Sequence, residues 1–393
     1  MSMTLLERLH PTQKVILPEG ARIGLHWGAL ARQRRTGVGI DIGGGTVKIV
    51  QIRWTRTGAR LENYALVPLP GGIMQEGIIT APGAVTEVLK ATYAAMGLEQ
   101  DAVGTTVGGP AILHRYITLP KVSPEELRSA MKFEAPQHLP IPEDELIYDF
   151  TPVPEATGIP EHQMGVFLAG TSKKLVDGVL NALNQSGART TAIELDCLAI
   201  LRALEALGLA QHRSQQPLVL MDFGETSIRI SVIRYGVPML ARTIPTGLSQ
   251  LRSAVAEALH VVPGQAEDEL RLKGLKGDKT MAEVVDPWVT ELLDSVGRSV
   301  EFFLIQNRNA ALDKVFVVGG GAVLPDLPEL LTTHLKTVLN GRPEAEQLKV
   351  QRVGLAGLDI NPELQPGVNA VGPLLITALG SALREGEEDD GTH

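Results

Sequence analysis

Cysteine is nearly missing from this chain: Cys197 stands alone among 393 residues, so no internal disulfide can form and a reducing compartment fits. Aromatic residues are scarce, at 4%. Positive charge is not in excess either. Lys and Arg number 36 against 45 Asp and Glu, a formal net charge of -9, which removes the general electrostatic reason for binding nucleic acid or anionic lipid. No uninterrupted apolar run approaches the roughly 20 residues that a membrane span needs, and the start lacks the basic, apolar and small-residue zones of a signal peptide. These absences lead us to expect a cytoplasmic protein that reaches a membrane only through a partner.

What the chain does have is a normal core-forming composition, 44% hydrophobic and 21% charged. Its length is too great for one compact core, so two domains are expected. Glycine is plentiful, 41 residues, and clustered. A strand pattern from Val38 to Ile42 breaks at Gly43-Gly44-Gly45 and resumes from Val47 to Trp54 as an alternating β-branched run. The same design returns at Leu218–Phe223, Gly224 and Ile228–Arg234. Both stretches, VGIDIGGGTVKIVQI and LVLMDFGETSIRISVI, carry an Asp near the end of the first strand, a glycine turn with Thr, and a return strand. Internal duplication of one unit explains this. A third glycine run, Gly319-Gly320-Gly321, follows a buried strand pattern at Val315–Val318.

Between the repeats, helical spacing spans Pro82 to Met96 with Gly97 as the stop, and strands are expected at Ala102–Val107 and Ile112–Leu119. Ser123 as N-cap, Pro124 at N1 and Glu126 at N3 make a capping box for a helix running to about Glu134, ended by Pro136, Pro140 and Pro142. A strand at Leu146–Val153, a loop at Pro154–Glu161, a strand at Gln163–Thr171 and a helix at Lys174–Gln185 follow. This reads as an inserted α+β subdomain. Further helices are expected at Leu248–Leu259, Gln265–Leu272 and Pro287–Arg308. Cys197 lies in an apolar run, Ala192 to Leu204, that reads as core. The partition is an extension over 1–37, a first domain over 38–104 and 188–213, an insertion over 105–187, a second domain over 214–384 and an acidic tail over 385–393. The basic cluster Arg32, Arg34 and Arg35 in the extension reads as solvated.

Glycine turns between strands let backbone N–H groups approach phosphate oxygens without side chains in the way. Gly43, Gly44, Gly45 and Thr46 meet that need in the first half, and Gly224, Glu225 and Thr226 in the second. One such loop is an ordinary hairpin; two in register are a candidate cradle. Asp41 and Asp222 occupy equivalent places at its mouth, suited to holding Mg²⁺ directly or through water, unless each merely caps its turn. Lys48, on the return strand, is placed to reach a phosphate or a carboxylate. Gly319, Gly320 and Gly321 offer a bare surface for adenosine, or a plain βα turn.

The three loops, in this order, resemble the actin, heat-shock chaperone and sugar kinase superfamily. That resemblance implies an α/β, actin-like (ribonuclease H-like) two-domain fold with ATP in the cleft. The stretch from Tyr116 to Leu127, with Ala130, Phe133-Glu134-Ala135, His138-Leu139-Pro140-Ile141-Pro142 and Asp149-Phe150, is similar to the inserted subdomain of the PilM family of type IV pilus assembly proteins, within the FtsA-like branch. Val166 to Lys174 and Gly187 to Ala203, including Asp196, continue the likeness. The resemblance covers Val38 to Leu383. It implies an ATP-binding cytoplasmic component of the pilus machine, with Mg²⁺, that docks the N-terminal tail of the inner-membrane protein PilN between core and insertion and serves pilus biogenesis and twitching motility. Any ATPase activity it implies is weak, with Asp41, Asp196 and Asp222 as candidate catalytic residues. Two places depart from the pattern: Gly44-Gly45-Thr46 replaces serines, and where a Glu and a Lys usually contact the adenosine the candidates are Asp268 with Arg271, each changed in kind, with Glu267 and Lys273 as nearby alternatives.

Three other readings compete, one of them a pure scaffold that has lost nucleotide. An FtsA-like cell-division filament protein would need a basic amphipathic C-terminus, whereas this chain ends in acid from Glu385 to Asp390. A small-molecule kinase would need a base such as Asp196 or Glu194 beside an acceptor pocket. Other platform or motor proteins, and self-association, are open as further contacts.

Overall fold

The computed structural model describes residues 36–98, 102–153, 159–211, 213–307, 310–312 and 314–384. The expectations for the extension before Thr36, its basic cluster and the acidic tail lie outside these residues, as does part of the loop expected at Pro154–Glu161.

The chain opens with β1 (Thr36–Ile42), β2 (Thr46–Thr55) and β3 (Gly58–Pro68), a meander of antiparallel strands. A small hairpin of β4 (Met74–Gln75) and β5 (Ile78–Ile79) leads to α1 (Pro82–Met96). Gly97 ends that helix in the left-handed conformation (φ 68°), as the sequence predicts. β6 (Ala102–Val107) then pairs in parallel with β1. Next come β7 (Leu113–Pro120), α2 (Pro124–His138), β8 (Leu146–Val153) and β9 (Gln163–Ser172), which form a separate three-stranded sheet, β7-β9-β8, with its own small core under α2. α3 (Lys173–Gln185), β10 (Arg189–Leu195) and α4 (Asp196–Ala206) return the chain to the first lobe. β6 pairs with β1 and β10, and α3 packs on α1, so the separate sheet occupies a shorter stretch than 105–187.

The second lobe contains β11 (Leu218–Phe223), β12 (Ile228–Arg234), β13 (Val237–Ile244), α5 (Leu248–Leu259), α6 (Pro263–Lys273), α7 (Lys279–Gln306), β14 (Lys314–Val318), α8 (Leu327–Val338) and β15 (Lys349–Arg352). β16 (Asp359–Ile360) and α9 (Gln365–Arg384) end the described chain. The first sheet runs β10-β6-β1-β2-β3-β16 and the second β15-β14-β11-β12-β13. With β16 set aside, the two orders are the same, so the duplication read from the sequence is a duplication of topology.

Each sheet is covered on both faces, which is why β1 and β11 read as continuous apolar runs. The outer face of the first sheet packs Val38, Ile40, Val47 and Ile49 against α1 and α3. The outer face of the second buries Val219, Met221, Ile228 and Ile230 under α5 to α8. Between the sheets lie α4 and α9, whose Ile200, Leu204, Leu375 and Leu379 share one core with Val50 and Ile52 of the first sheet and Leu220 and Phe316 of the second.

Four sequence expectations are corrected. β1 begins at Thr36, so Gly37 belongs to the sheet rather than to the extension. α2 continues through Pro136 to His138, held by buried Ala135 and by the amide of Leu139 donating to Ala135 O. α7 starts at Lys279, not Pro287: Asp278 caps it by accepting from the Met281 amide, and Met281, Val285 and Trp288 bury its first turns on either side of the proline. The stretch 359–384, expected in the second domain, gives a strand to the first sheet and covers that sheet's inner face.

Candidate functional site

The turns at Gly43–Gly45 and Gly224–Ser227 close in the same way, with Gly43 N donating to Thr46 O (3.0 Å) and Gly224 N donating to Ser227 O (3.0 Å). Their tips meet across the cleft. A Cβ on Gly44 would come within 3.1 Å of Thr226 Oγ1, and one on Gly45 within 2.8 Å of Glu225 Cγ. Bare backbone at Gly44 and Gly45 is therefore what lets the lobes approach. A Cβ on Gly43 would collide with the Lys48 ammonium, which lies over the turn.

Register sets the charges. Asp41 is the direct cross-strand partner of Lys48, and Asp222 of Arg229. Each pair forms an ion bridge: Lys48 Nζ lies 2.9 Å from Asp41 Oδ2, and Arg229 Nη2 bonds Asp222 Oδ2. Arg229 also reaches a third carboxylate from the other lobe, its Nε lying 2.7 Å from Oδ2 of Asp196 at the start of α4. Burial raises the Asp196 carboxyl to about 6, with Arg229 pulling it down and Asp222 pushing it up. Burial works against the charge on Arg229, but Asp222, Asp196 and Asp41 more than offset it and keep the guanidinium firmly protonated.

A cavity of about 420 Å³ opens beside the tips, lined by Asp41, Gly43, Gly44, Thr226, Asp196 and Arg229 among others. It brings together residues of both glycine turns. Asp222 lies behind Arg229, 6% exposed, and Glu225 is drawn to the second lobe by Arg252. The third glycine run does not line this cavity. Gly319 sits against Asp222 and Phe223 at φ 85°, and Gly321 packs on Phe223 and Leu248, so these glycines permit close packing at the end of β11. Asp268 is exposed on α6, while Arg271 pairs with Glu267 (2.8 Å) and Glu267 with Arg252 (3.5 Å). An ion-pair chain thus links the second loop tip to α6.

Asp41 and Asp222 each answer a cation on the neighbouring strand, and no group of three or more His, Cys, Asp or Glu that could hold a metal occurs among the described residues. An all-protein metal cage does not fit; a hydrated ion carried on phosphates, met by one carboxylate through water, does. Arg229 is the site residue that the sequence reading missed. The signal was there: Lys48 follows Asp41 by seven positions, and Arg229 follows Asp222 by seven.

A second concavity, about 300 Å³, lies between the insertion and the core, walled by Ile147, Phe150, Phe167, Leu195, Leu198 and Arg384. β8 is an edge strand of its sheet and supplies Ile147 and Phe150. Glu194 lies at the wall, bonded to Arg202 (2.8 Å) and near Arg384 (3.5 Å); burial raises its carboxyl against the pull of both. The corner from β10 to α4 divides the two cavities, Leu195 facing the groove and Asp196 the cleft. Among the described residues no helix is long and apolar enough to cross a membrane.

A family model described as "Type IV pilus assembly protein PilM" matches residues 39–384. Among solved structures the chain is similar to a "PilM-PilN type IV pilus biogenesis complex", with a TM-score of 0.75 and 25% identity over 90% of this chain and 99% of that one. It is also similar to MreB 5 of Spiroplasma citri bound to AMPPNP (TM-score 0.51, 12% identity, 91% of this chain and 97% of that one). A third likeness is to the ethanolamine utilization protein EutJ from Carboxydothermus hydrogenoformans (TM-score 0.50, 16% identity, 90% of each chain). These last two show fold alone: the architecture is actin-like.

Proposed function

Because the chain belongs to the type IV pilus assembly protein PilM family, we propose that it is the ATP-binding, actin-like component of a pilus assembly platform and that it docks the N-terminal tail of PilN. The observation that carries this is the shared corner: one turn of chain, Leu195-Asp196, faces the insertion groove on one side and the phosphate cleft on the other. The groove suits an extended, partly apolar segment laid along the β8 edge, where main-chain groups give affinity and Ile147 and Phe150 give side-chain pockets.

In the cleft, the tips at Gly44-Gly45 and Glu225-Thr226 would cradle the phosphates, with Thr46 and Gly224 shaping the turns and Lys48 supplying charge. Mg²⁺ carried on the phosphates would meet Asp41 through water, while Asp222 stays bonded to Arg229. The adenosine end would lie toward Gly319–Gly321, with Asp268 and Arg271 at its edge. Nucleotide can bias the groove only through unequal affinity for two arrangements of the lobes. Asp41, Asp196 and Asp222 are all ion-paired, so none is assigned as a catalytic base and no hydrolytic step is drawn. The protein would sit at the inner membrane through its partner.

The test is fluorescence anisotropy with a synthetic peptide of a PilN N-terminal tail, titrated with the protein alone, with ATP and with ADP. Binding is expected in all three, with Kd differing by roughly threefold or more between states, a coupling of about 0.6 kcal/mol or more. Ile147→Glu is expected to weaken binding at least about tenfold. No binding to the wild-type protein rejects the docking role; equal binding in the three states rejects the coupling.

A further inference from the structure

Arg229 has more to do than its place in the fold requires. It is the repeat mate of Lys48, one per lobe, seven positions after the strand-end Asp and across the ladder from it. Yet the two differ in their surroundings. Lys48 has one acid facing it, whereas Arg229 stands between Asp222 on its own sheet and Asp196 on the other lobe. Asp222 alone would neutralise it. Asp196 brings a second, surplus carboxylate, and it does so in a confined place: a Cβ on Gly108, where the chain leaves β6 for the insertion, would overlap its carboxylate.

The guanidinium also lines two spaces. It borders the 420 Å³ cavity with the phosphate loops, and a cavity of about 670 Å³ beside the insertion that is walled by His114, Arg115, Met239 and Phe302. A guanidinium offers five N–H donors in a planar fork, so a bond to Asp222 and an ion pair with Asp196 leave donors to spare. Gly319–Gly321, the adenosine run, lie outside the cavity that Arg229 lines. Whatever part of a nucleotide reaches Arg229 is therefore the end remote from the base.

We infer that Arg229 reads the terminal phosphate of a bound nucleoside triphosphate, and that Asp196 competes with that phosphate for the same guanidinium. The assignment rests on the nucleotide reading above and adds the residue that tells triphosphate from diphosphate. A dianionic phosphate group outbids a single carboxylate for a planar cation. On binding, Asp196 is released from the second lobe while Asp222 keeps its bond. A diphosphate, one group shorter, leaves the Asp196–Arg229 bridge closed.

Isothermal titration calorimetry of the full chain with ATP and with ADP tests this. The wild type is expected to prefer ATP. Asp196→Asn, which keeps the shape and removes the competing charge, is expected to tighten ATP about threefold or more and to leave ADP within about twofold. Arg229→Gln is expected to weaken ATP about tenfold and to erase the preference. Should Arg229→Gln fail to fold, since it strands two carboxylates, Asp196→Asn carries the test alone. The assignment is overturned if Asp196→Asn leaves ATP affinity unchanged or weaker, if it tightens both nucleotides alike, or if Arg229→Gln keeps the preference. A wild type that binds neither nucleotide overturns the nucleotide reading itself, a result distinct because no variant is needed to see it.

Discussion

A half-buried titratable side chain sits apart from the acid cluster, on the first strand of the insertion. His114 stacks on Phe167 with ring centroids 5.8 Å apart, and its Nε2 has no hydrogen-bond partner among the described residues. Burial, reinforced by the neighbouring charge of Arg115, lowers its pKa from 6.5 to about 4. The folded protein therefore binds this proton less readily than the unfolded chain. The stabilising contribution is complete above pH 6.5 and is lost as the pH falls toward 4. Urea midpoints at pH 7 and pH 5 should drop less in His114→Gln than in the wild type, and an equal drop would show that His114 is not the group responsible. At this scale the sequence exposed the acids and Lys48 but not the role of Arg229. Its second acid, Asp196, comes from a distant stretch, and only the fold sets the two side by side. Asp268 and Arg271 lie on α6, where the helix presents one to solvent and pairs the other with Glu267.

Among the elements, caps were legible and prolines were not. The box on α2 is complete: the Glu126 amide donates to Ser123 Oγ (3.3 Å), and the Ser123 amide donates to Glu126 Oε2 (2.9 Å). Those bonds need only residues three apart, so the sequence suffices to see them. Ser123→Ala should cost about 1 kcal/mol, read as faster amide hydrogen exchange at the start of α2 with β1 and β11 unchanged. Pro136 and Pro287 misled because a proline announces one lost backbone bond and says nothing of the packing that offsets it. Both helices carry buried residues on each side of the ring: Ala135 and Leu139 in one case, Val285 and Trp288 in the other. Strand β6 and helix α3 look like the start and end of the insertion, since local pattern cannot show which sheet a strand joins. The ladders assign β6 to the first lobe.

For the whole molecule, the duplicated strand order was readable because each copy repeats the same local signals. The layer between the sheets was not, because it joins opposite ends of the chain. The close approach of α9 to β1 depends on glycine: a Cβ on Gly37 or Gly39 would run into the backbone of Ala382 or Ala378. Gly380 meets α4 in the same way, at Ala199 O. Gly39→Leu should lower stability by about 3 kcal/mol or more, measured by chemical denaturation, whereas Gly71→Ala, with nothing within 4 Å of its Cβ position, should change it little. A Gly39→Leu protein of normal stability would show that α9 can shift aside. That one helix also sets a timetable. Of the described elements, the strand it covers is the first to leave the ribosome and α9 the last. Until it emerges, the inner face of the first sheet, with Val50, Ile52 and Tyr64, has α4 but not α9 against it, so the first lobe cannot complete its core during synthesis before the rest of the chain.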